Sequence, residues 1–453
     1  MKCRRIYLVY LLTLCLLFTS LPIAGLGQQA SPAPAEGAAQ TSDGFKFGKV
    51  DLDLLKQINL LDQRFEKEGL VYHETALDAY LERIGQSVVA DKQIENVNWR
   101  FRVLRDPVPN AFALPNGSIY VNAGLLALLE NEGQLASVLG HEVTHVSKRH
   151  TYLQNRSLRK KVLTINILNT ISAWNPVGGA AGAAIDLIAS VSPFMLVLSV
   201  FGYSRELEKE ADVEGLKNLT NAGYAPGEMA NAFKLLQKDI EGEQLDSFYS
   251  DHPRLQERID YISRSIGTTA KQMSDDDLKK ARAEYLTQTE KLDRHDVELA
   301  INSGRFRTAI FVSQKLVDFK ESSENVFYLA ESYRALGPRA SQLGGKELST
   351  GAKKKSAKDR NKHTLEEQEA ALMKTAAGQM AWKANQQKAE DYYLRALDLD
   401  RFNSMAHRGL GMLYEKIERK EEAVSEYSKY LELAPKAIDS ERIRRRLQAL
   451  KGS

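Results

Sequence analysis

The chain has 453 residues, 43% of them hydrophobic and 27% charged. That length suits about two or three domains with buried cores and excludes wholesale disorder or a collagen-like fibre. A mean hydropathy of -0.37 excludes a polytopic membrane protein. The 62 Lys and Arg face 59 Asp and Glu, and the surplus sits entirely at Lys2, Arg4 and Arg5. The rest is neutral, without the basic excess of a nucleic-acid-binding protein, so no nucleic-acid partner is expected.

The basic start, the apolar run over 6–18 and the small residues of Gly25-Leu26-Gly27 predict a signal peptide over 1–27. The mature chain would then begin near Gln28. An uncleaved anchor is the alternative, because the apolar run is nearly long enough to span a bilayer. Cys3 and Cys15 both lie in this segment. The remainder therefore has neither a disulfide framework nor a thiolate metal site. Residues 28–44, rich in Ala, Pro, Gly and Ser without an apolar period, read as a flexible linker.

From Val50 to Ala90 the pattern is helical, with one stripe at Leu54, Ile58 and Leu61 and another at Ala79, Leu81, Ile84 and Val88. Trp99 to Leu104 alternates. Asn110 to Leu114, Pro115-Asn116-Gly117 and Ser118 to Val121 read as strand, turn and strand, which implies a small sheet. Leu125 to Arg149 is helical, as two helices or one broken near Gly133. Residues 177–203 are glycine-rich and apolar but interrupted by Asp186 and Pro193. They predict a buried or membrane-surface helical hairpin, with a true span over 184–202 as the alternative. Glu206 to Leu219 and Pro226 to Ile240 are again helical, separated at Asn221-Ala222-Gly223.

Ala389, Tyr393, Leu397 and Leu399 recur 34 residues later as Ala423, Tyr427, Leu431 and Leu433. This period and the small residues at close crossings are similar to tetratricopeptide repeats, with a degenerate earlier unit over 296–337. The basic insert 338–363 reads as a solvated loop, or as a contact for anionic partners or lipid heads. Any amphipathic helical bundle would share the pattern, and either arrangement offers a platform for protein partners.

His141-Glu142-Val143-Thr144-His145 lies within the helical pattern of Leu135, Val138, Leu139, Val143 and Val146. Residues four apart share a helical face, so both imidazoles can reach one Zn2+, while Glu142 can face a water at that metal. A catalytic zinc needs a third protein ligand and an open fourth position. The HExxHxxGxxH extension is absent, since Thr151 stands where its third histidine would be. Glu208 and Asp212, four apart on a second predicted helix, share a face. One of them can bind metal while the other accepts a ligand histidine's free ring N–H. Two histidines unrelated to metal and a solvated acidic helix are the bland alternative.

His141 to His145 followed by Ser204-Arg205-Glu206-Leu207-Glu208-Lys209-Glu210-Ala211-Asp212 resembles the zinc metallopeptidase family of the CaaX prenyl protease and the heat-shock protease HtpX. The resemblance covers about residues 45–265. It implies that the glutamate of an E-x-x-x-D element is the third ligand, here Glu208, and that Asp212 orients a ligand histidine. Glu206 and Glu210 lack the aspartate, because positions 210 and 214 are both Glu. Asn110 to Gly117 resembles the family's edge strand near the cleft; an ordinary core hairpin would look the same. Asp251-His252-Pro253, with Arg258 beyond, resembles its His-Pro element. His252 would stabilise the oxyanion or occupy the open metal position, or else be a capping or core histidine. His150, beyond the motif, reads as a surface residue, and His73, His295, His363 and His407 lie in unrelated segments.

The expected architecture is α+β and mostly α. A zinc-peptidase domain with a small sheet over 45–270 precedes a tetratricopeptide-repeat-like helical domain over 271–453. The expected function is a zinc endopeptidase with one Zn2+ held by His141, His145 and Glu208, Glu142 as its base, and Asp212 and His252 in support. The resemblance to periplasmic members with repeat domains implies a bacterial envelope setting. It also implies misfolded or stalled outer-membrane proteins as substrates, and outer-membrane assembly machinery as the partner of the repeats. A periplasmic chaperone or scaffold with a silent or self-blocked zinc site is one alternative, and a membrane-integrated protease is another.

Overall fold

The computed structural model describes residues 45–162, 203–243, 255–266, 274–339 and 365–452. The expectations for 1–44, for the apolar stretch up to 202, for His252 and for nearly all of the basic insert lie outside the described residues.

Helix α1 (Lys49–Lys67) buries Leu54, Ile58 and Leu61, the stripe its spacing predicts, and Phe65 with them. A two-residue strand β1 (Val71–Tyr72) then divides the stretch that reads as wholly helical. Helix α2 (Thr75–Ser87) begins where the Glu74 side chain accepts the Leu77 N–H. It buries Leu77, Leu81 and Ile84 and leaves Ala79 exposed. Strands β2 (Arg100–Leu104), β3 (Ala111–Ala113) and β4 (Ser118–Asn122) complete one sheet in the order β1-β2-β4-β3. The β2–β4 pairing is parallel, and the two outer pairings are antiparallel. β3 is therefore an edge, in register with β4 through Phe112 opposite Tyr120. Asp62 of α1 ties that helix to the sheet: it accepts the Ser118 hydroxyl at 3.1 Å and pairs with Arg100 at 2.6 Å.

Beyond β4 come α3 (Ala123–Leu128), α4 (Glu132–Ser147), α5 (His150–Val162), α6 (Arg205–Asn221), α7 (Gly227–Glu243) and α8 (Leu255–Ile266). The main core joins α2, the sheet, α3, α4, α7 and α8 through residues such as Leu81, Phe101, Val121, Leu139, Phe233 and Ile259. No helix among the described residues is long and apolar enough to cross a membrane.

Helix α9 (Asp275–Asn302) contributes Tyr285 and Leu292 to that same core. The Tyr285 hydroxyl donates to the Leu126 carbonyl at 2.8 Å. Helices α10 (Phe306–Phe319), α11 (Ser323–Leu336), α12 (Leu365–Met373), α13 (Ala376–Leu399), α14 (Ser404–Lys416), α15 (Lys420–Leu433) and α16 (Ser440–Gly452) continue the C-terminal array. Four of the eight repeat positions, Ala389, Tyr393, Ala423 and Tyr427, are fully buried. A Cβ on Gly409 would lie 2.3 Å from the Tyr393 ring, and one on Gly411 would lie 2.5 Å from the Tyr427 ring. The two tyrosines thus clamp α14 at glycines. Leu399 and Leu433, at the ends of their helices, are instead exposed.

Helices α9 and α10 meet α3 at a buried charge cluster. Lys315 of α10 donates to the Ala127 carbonyl at the end of α3 and pairs with Asp293 of α9 at 3.1 Å. A cation there complements the negative end of the helix dipole. Burial pushes the carboxyls of Asp293 and Asp296 up. It also raises Asp106 to about 6, against the opposing Val108 N–H and Arg305 charge.

Because the folded pKa of Asp106 is raised, its contribution to stability falls as pH rises from about 4 to about 6 and is constant above that. Asp106→Asn is therefore expected to stabilise the protein at pH 7.5 by up to about 3 kcal/mol. Denaturant titration should show this gain shrink toward zero near pH 4, and a gain independent of pH would contradict the assignment.

Candidate metal centre

The HExxH residues sit in the buried C-terminal half of α4, whose first turn is capped by the Asn131 side chain accepting the Gln134 N–H. Helix α6 starts at Ser204, whose hydroxyl accepts the Leu207 N–H, so that Glu208 and Asp212 fall on its buried face. The two helices cross closely where neither has a side chain. A Cβ on Gly215 would lie 3.0 Å from the His141 backbone nitrogen, and one on Gly140 would lie 3.2 Å from the Gly215 carbonyl oxygen. This crossing brings the Glu208 carboxylate to the imidazoles of the neighbouring helix.

His141, His145 and Glu208 form the one group of three candidate metal donors among the described residues, and all three are buried. The two Nε2 atoms are 3.0 Å apart. Each lies 3.6 Å from an oxygen of Glu208. Ligands on a tetrahedral Zn2+ with bonds near 2.0–2.1 Å stand roughly 3.3 Å from one another, so the donor set and its spacing fit such an ion.

The surroundings fix which nitrogen faces the cluster. His141 Nδ1 is 2.9 Å from Asp212 Oδ1, in full burial. Burial alone would raise the Asp212 carboxyl, but the Arg258 charge and the His141 hydrogen bond outweigh it and hold the group well below the usual range. As a carboxylate it can only accept, so the ring proton belongs on Nδ1 and Nε2 presents its lone pair. Burial, and then Arg258, hold the His141 ring below its ordinary pKa, which keeps it neutral.

Glu142 is buried beside His141 on α4 and stands outside the donor group. His252 lies outside the described residues. α4 also packs against the edge strand β3.

A family model described as "Peptidase family M48" matches residues 75–266, and a tetratricopeptide-repeat model matches 409–436. The similarity to peptidase family M48 is confined to residues 75–266, which read as an M48 domain. The chain is 30% identical over 227 residues to the "Mitochondrial metalloendopeptidase OMA1" of Schizosaccharomyces pombe, covering 47% of the chain and 61% of that protein. It is 28% identical over 196 residues to the "Putative beta-barrel assembly-enhancing protease" of Vibrio cholerae, covering 42% and 39%. With the "Beta-barrel assembly-enhancing protease" of Escherichia coli K12 it shares 23% identity over 239 residues, covering 51% and 48%. The chain thus spans about half the length of the curated relatives it matches. The M48 domain is a metallopeptidase domain, and a metal is implied for it.

Several residues around the M48 site take roles that the sequence reading does not assign, Arg258 among them although it stands beyond the His-Pro element. Arg258 of α8 grips Asp212 through two nitrogens at 2.9 and 2.7 Å, pairs with Glu208 at 2.9 Å and lies over the Phe233 ring at 4.4 Å. The Tyr261 hydroxyl also donates to Asp212. A signal for Arg258 exists in retrospect, since it is the charged member of a stripe with Leu255, Ile259 and Ile262. His150 is a correction: it is fully buried, with Nδ1 3.0 Å from His145 Nδ1. Helical continuation would carry it to the surface, but Arg149 adopts a left-handed φ of 59° and turns the chain back. The Tyr203 ring stacks on His145 at 3.9 Å.

If the glycine crossing sets the donor spacing, Gly215→Val should force α4 and α6 apart. Overpacking of this kind costs about 1–3 kcal/mol. Chelator competition should show zinc affinity falling by about tenfold or more. Unchanged affinity in a folded variant would count against the crossing as a determinant.

Proposed function

We propose that this protein is a zinc-dependent endopeptidase of the bacterial cell envelope that cleaves misfolded or stalled outer-membrane proteins. The observation that carries the reading is the buried group of His141, His145 and Glu208, with Glu142 beside it, inside an M48 domain. In this reading those three residues hold one Zn2+. When bound, the ion supplies Lewis acidity that makes a water more acidic and a scissile carbonyl more electrophilic.

The remaining work falls to the chain's own groups. Glu142 takes the proton from the attacking water as the new C–O bond forms, then passes it to the amine nitrogen as the C–N bond breaks. Asp212, charged and braced by Arg258, holds the His141 ring in one tautomer and orientation. The outer side of β3, which pairs with no strand among the described residues, accepts an extended substrate through backbone hydrogen bonds, which suits unfolded chains and weak side-chain preference. His252 supports the oxyanion or the resting site. The repeat helices bind a protein partner, the outer-membrane assembly machinery.

The envelope setting rests on residues 1–27 read as a signal, and on relatives named beta-barrel assembly-enhancing proteases. Those named mitochondrial OMA1 lend support to the chemistry alone. The division into a peptidase unit over 45–270 and a repeat unit over 271–453 is part of this reading. Tyr285, Leu292 and Lys315 make the second unit a fixed support for the first rather than a tethered module.

Cleavage of casein by the purified protein, beside Glu142→Gln at equal zinc occupancy, tests the activity. Loss of a general base should lower turnover by about 100- to 10,000-fold. Equal turnover by the two proteins, or none by the parent with zinc bound, would contradict the reading.

A further inference from the structure

The two histidines of the donor group are backed in different ways. Behind His141 stands the buried carboxylate of Asp212. Behind His145 stands another imidazole. His145 Nδ1 and His150 Nδ1 are 3.0 Å apart, with the rings nearly perpendicular at 79°. The other nitrogen of His150, Nε2, lies 3.4 Å from Oε2 of Glu210, a partly exposed carboxylate two residues beyond Glu208 on α6.

The turn that creates this contact is held on purpose. Arg149 adopts a conformation that side-chain-bearing residues avoid. Its guanidinium donates to the Glu95 carbonyl at 2.6 Å and lies over the Phe47 ring at 5.1 Å, which ties the turn to the body of the protein. On its far side His145 is covered by Tyr203, whose hydroxyl meets Thr151 Oγ1 at 2.9 Å. The ring is thus fixed by contacts on its face and at Nδ1, leaving Nε2 toward His141 and Glu208.

Two nitrogens in hydrogen-bond contact need one donor and one acceptor. A His145 that ligates through Nε2 carries its proton on Nδ1, so His150 Nδ1 must be the acceptor. His150 is then the neutral Nε2–H tautomer, and Glu210 is the acceptor that selects it. Every proton in the chain from His145 to Glu210 has one place and one direction.

We propose that His150 is a positioning residue for His145, accepting its Nδ1–H in a tautomer set by Glu210, so that the zinc donor group is formed before the ion arrives. This rests on the reading of His141, His145 and Glu208 as zinc ligands. The two ligand histidines are thereby held by unlike partners, one an ion-paired carboxylate and the other a neutral ring.

Zinc affinity of the full chain, measured by chelator competition with zinc alone as the probe, tests the assignment. His150→Phe keeps a ring but removes the acceptor, and should weaken zinc binding by roughly 10- to 100-fold. His150→Asn returns an acceptor oxygen near the position of Nδ1 and should recover most of that loss. A His150→Phe protein that binds zinc as tightly as the parent would overturn the proposal, as would an Asn variant no better than the Phe variant. Should His150→Phe fail to fold, the half-exposed Glu210→Lys decides alone. A lysine at that position donates to Nε2, moves the ring proton to Nδ1 and sets donor against donor, so affinity should fall by about fivefold or more. Unchanged affinity there overturns the proposal. A parent that takes up no zinc overturns the metallopeptidase reading itself, and with it this inference.

Discussion

The buried contact of Arg258 with Asp212 and Glu208 is the interaction on which the site depends. It lies in a region closed to solvent, with all three residues at 3% exposure or less. Two carboxylates from one helix converge there on two imidazoles, and the guanidinium is a cation set directly against both of them in a low-dielectric space. Removing one partner of such a buried group costs about 3–5 kcal/mol, because the other charge is left uncompensated. The same contact fastens α8 to α6 and, through Asp212 and His141, α6 to α4. Charge balance, ligand orientation and helix packing are thus one constraint.

That constraint is supported from outside the M48 domain. Helix α3 leads from the central strand β4 toward α4, and its last carbonyls are held by Lys315 and Tyr285 from the C-terminal helices. A displacement of α9 and α10 would therefore be felt at the start of the helix that carries the HExxH residues. The buried acids at this joint are costly in their charged form. Their retention beside Lys315 and Arg305 makes the joint more sensitive to pH than a purely apolar interface would be.

Much of this was legible in the sequence because it is local. The spacing of His141 and His145, and of Glu208 and Asp212, sets which side chains share a helical face, and the structure places both pairs on buried faces. The strand, turn and strand over 110–121 follow from two short runs set around Pro115-Asn116-Gly117, although only pairing can make β3 an edge. What the pattern did not disclose is set by distant contacts or by a break in periodicity. Arg258 acquires its role from Asp212, 46 residues away. His150 reads as a surface residue only if the helix runs on past Arg149, and it does not. In the repeats, the tyrosines facing Gly409 and Gly411 are buried as the period implies. Leu399 and Leu433 share that period but fall where their helices end, beyond the packed crossing.

The central claim is that one metal is held between α4 and α6 by two nitrogens and one carboxylate. Anomalous scattering from crystals of the zinc-loaded protein at the zinc absorption edge tests it most directly. The account predicts a single strong peak within bonding distance of His141 Nε2, His145 Nε2 and an oxygen of Glu208, with Asp212 one shell further out. A peak ligated by Asp212 in place of Glu208, or one lying away from the α4–α6 crossing, would contradict it.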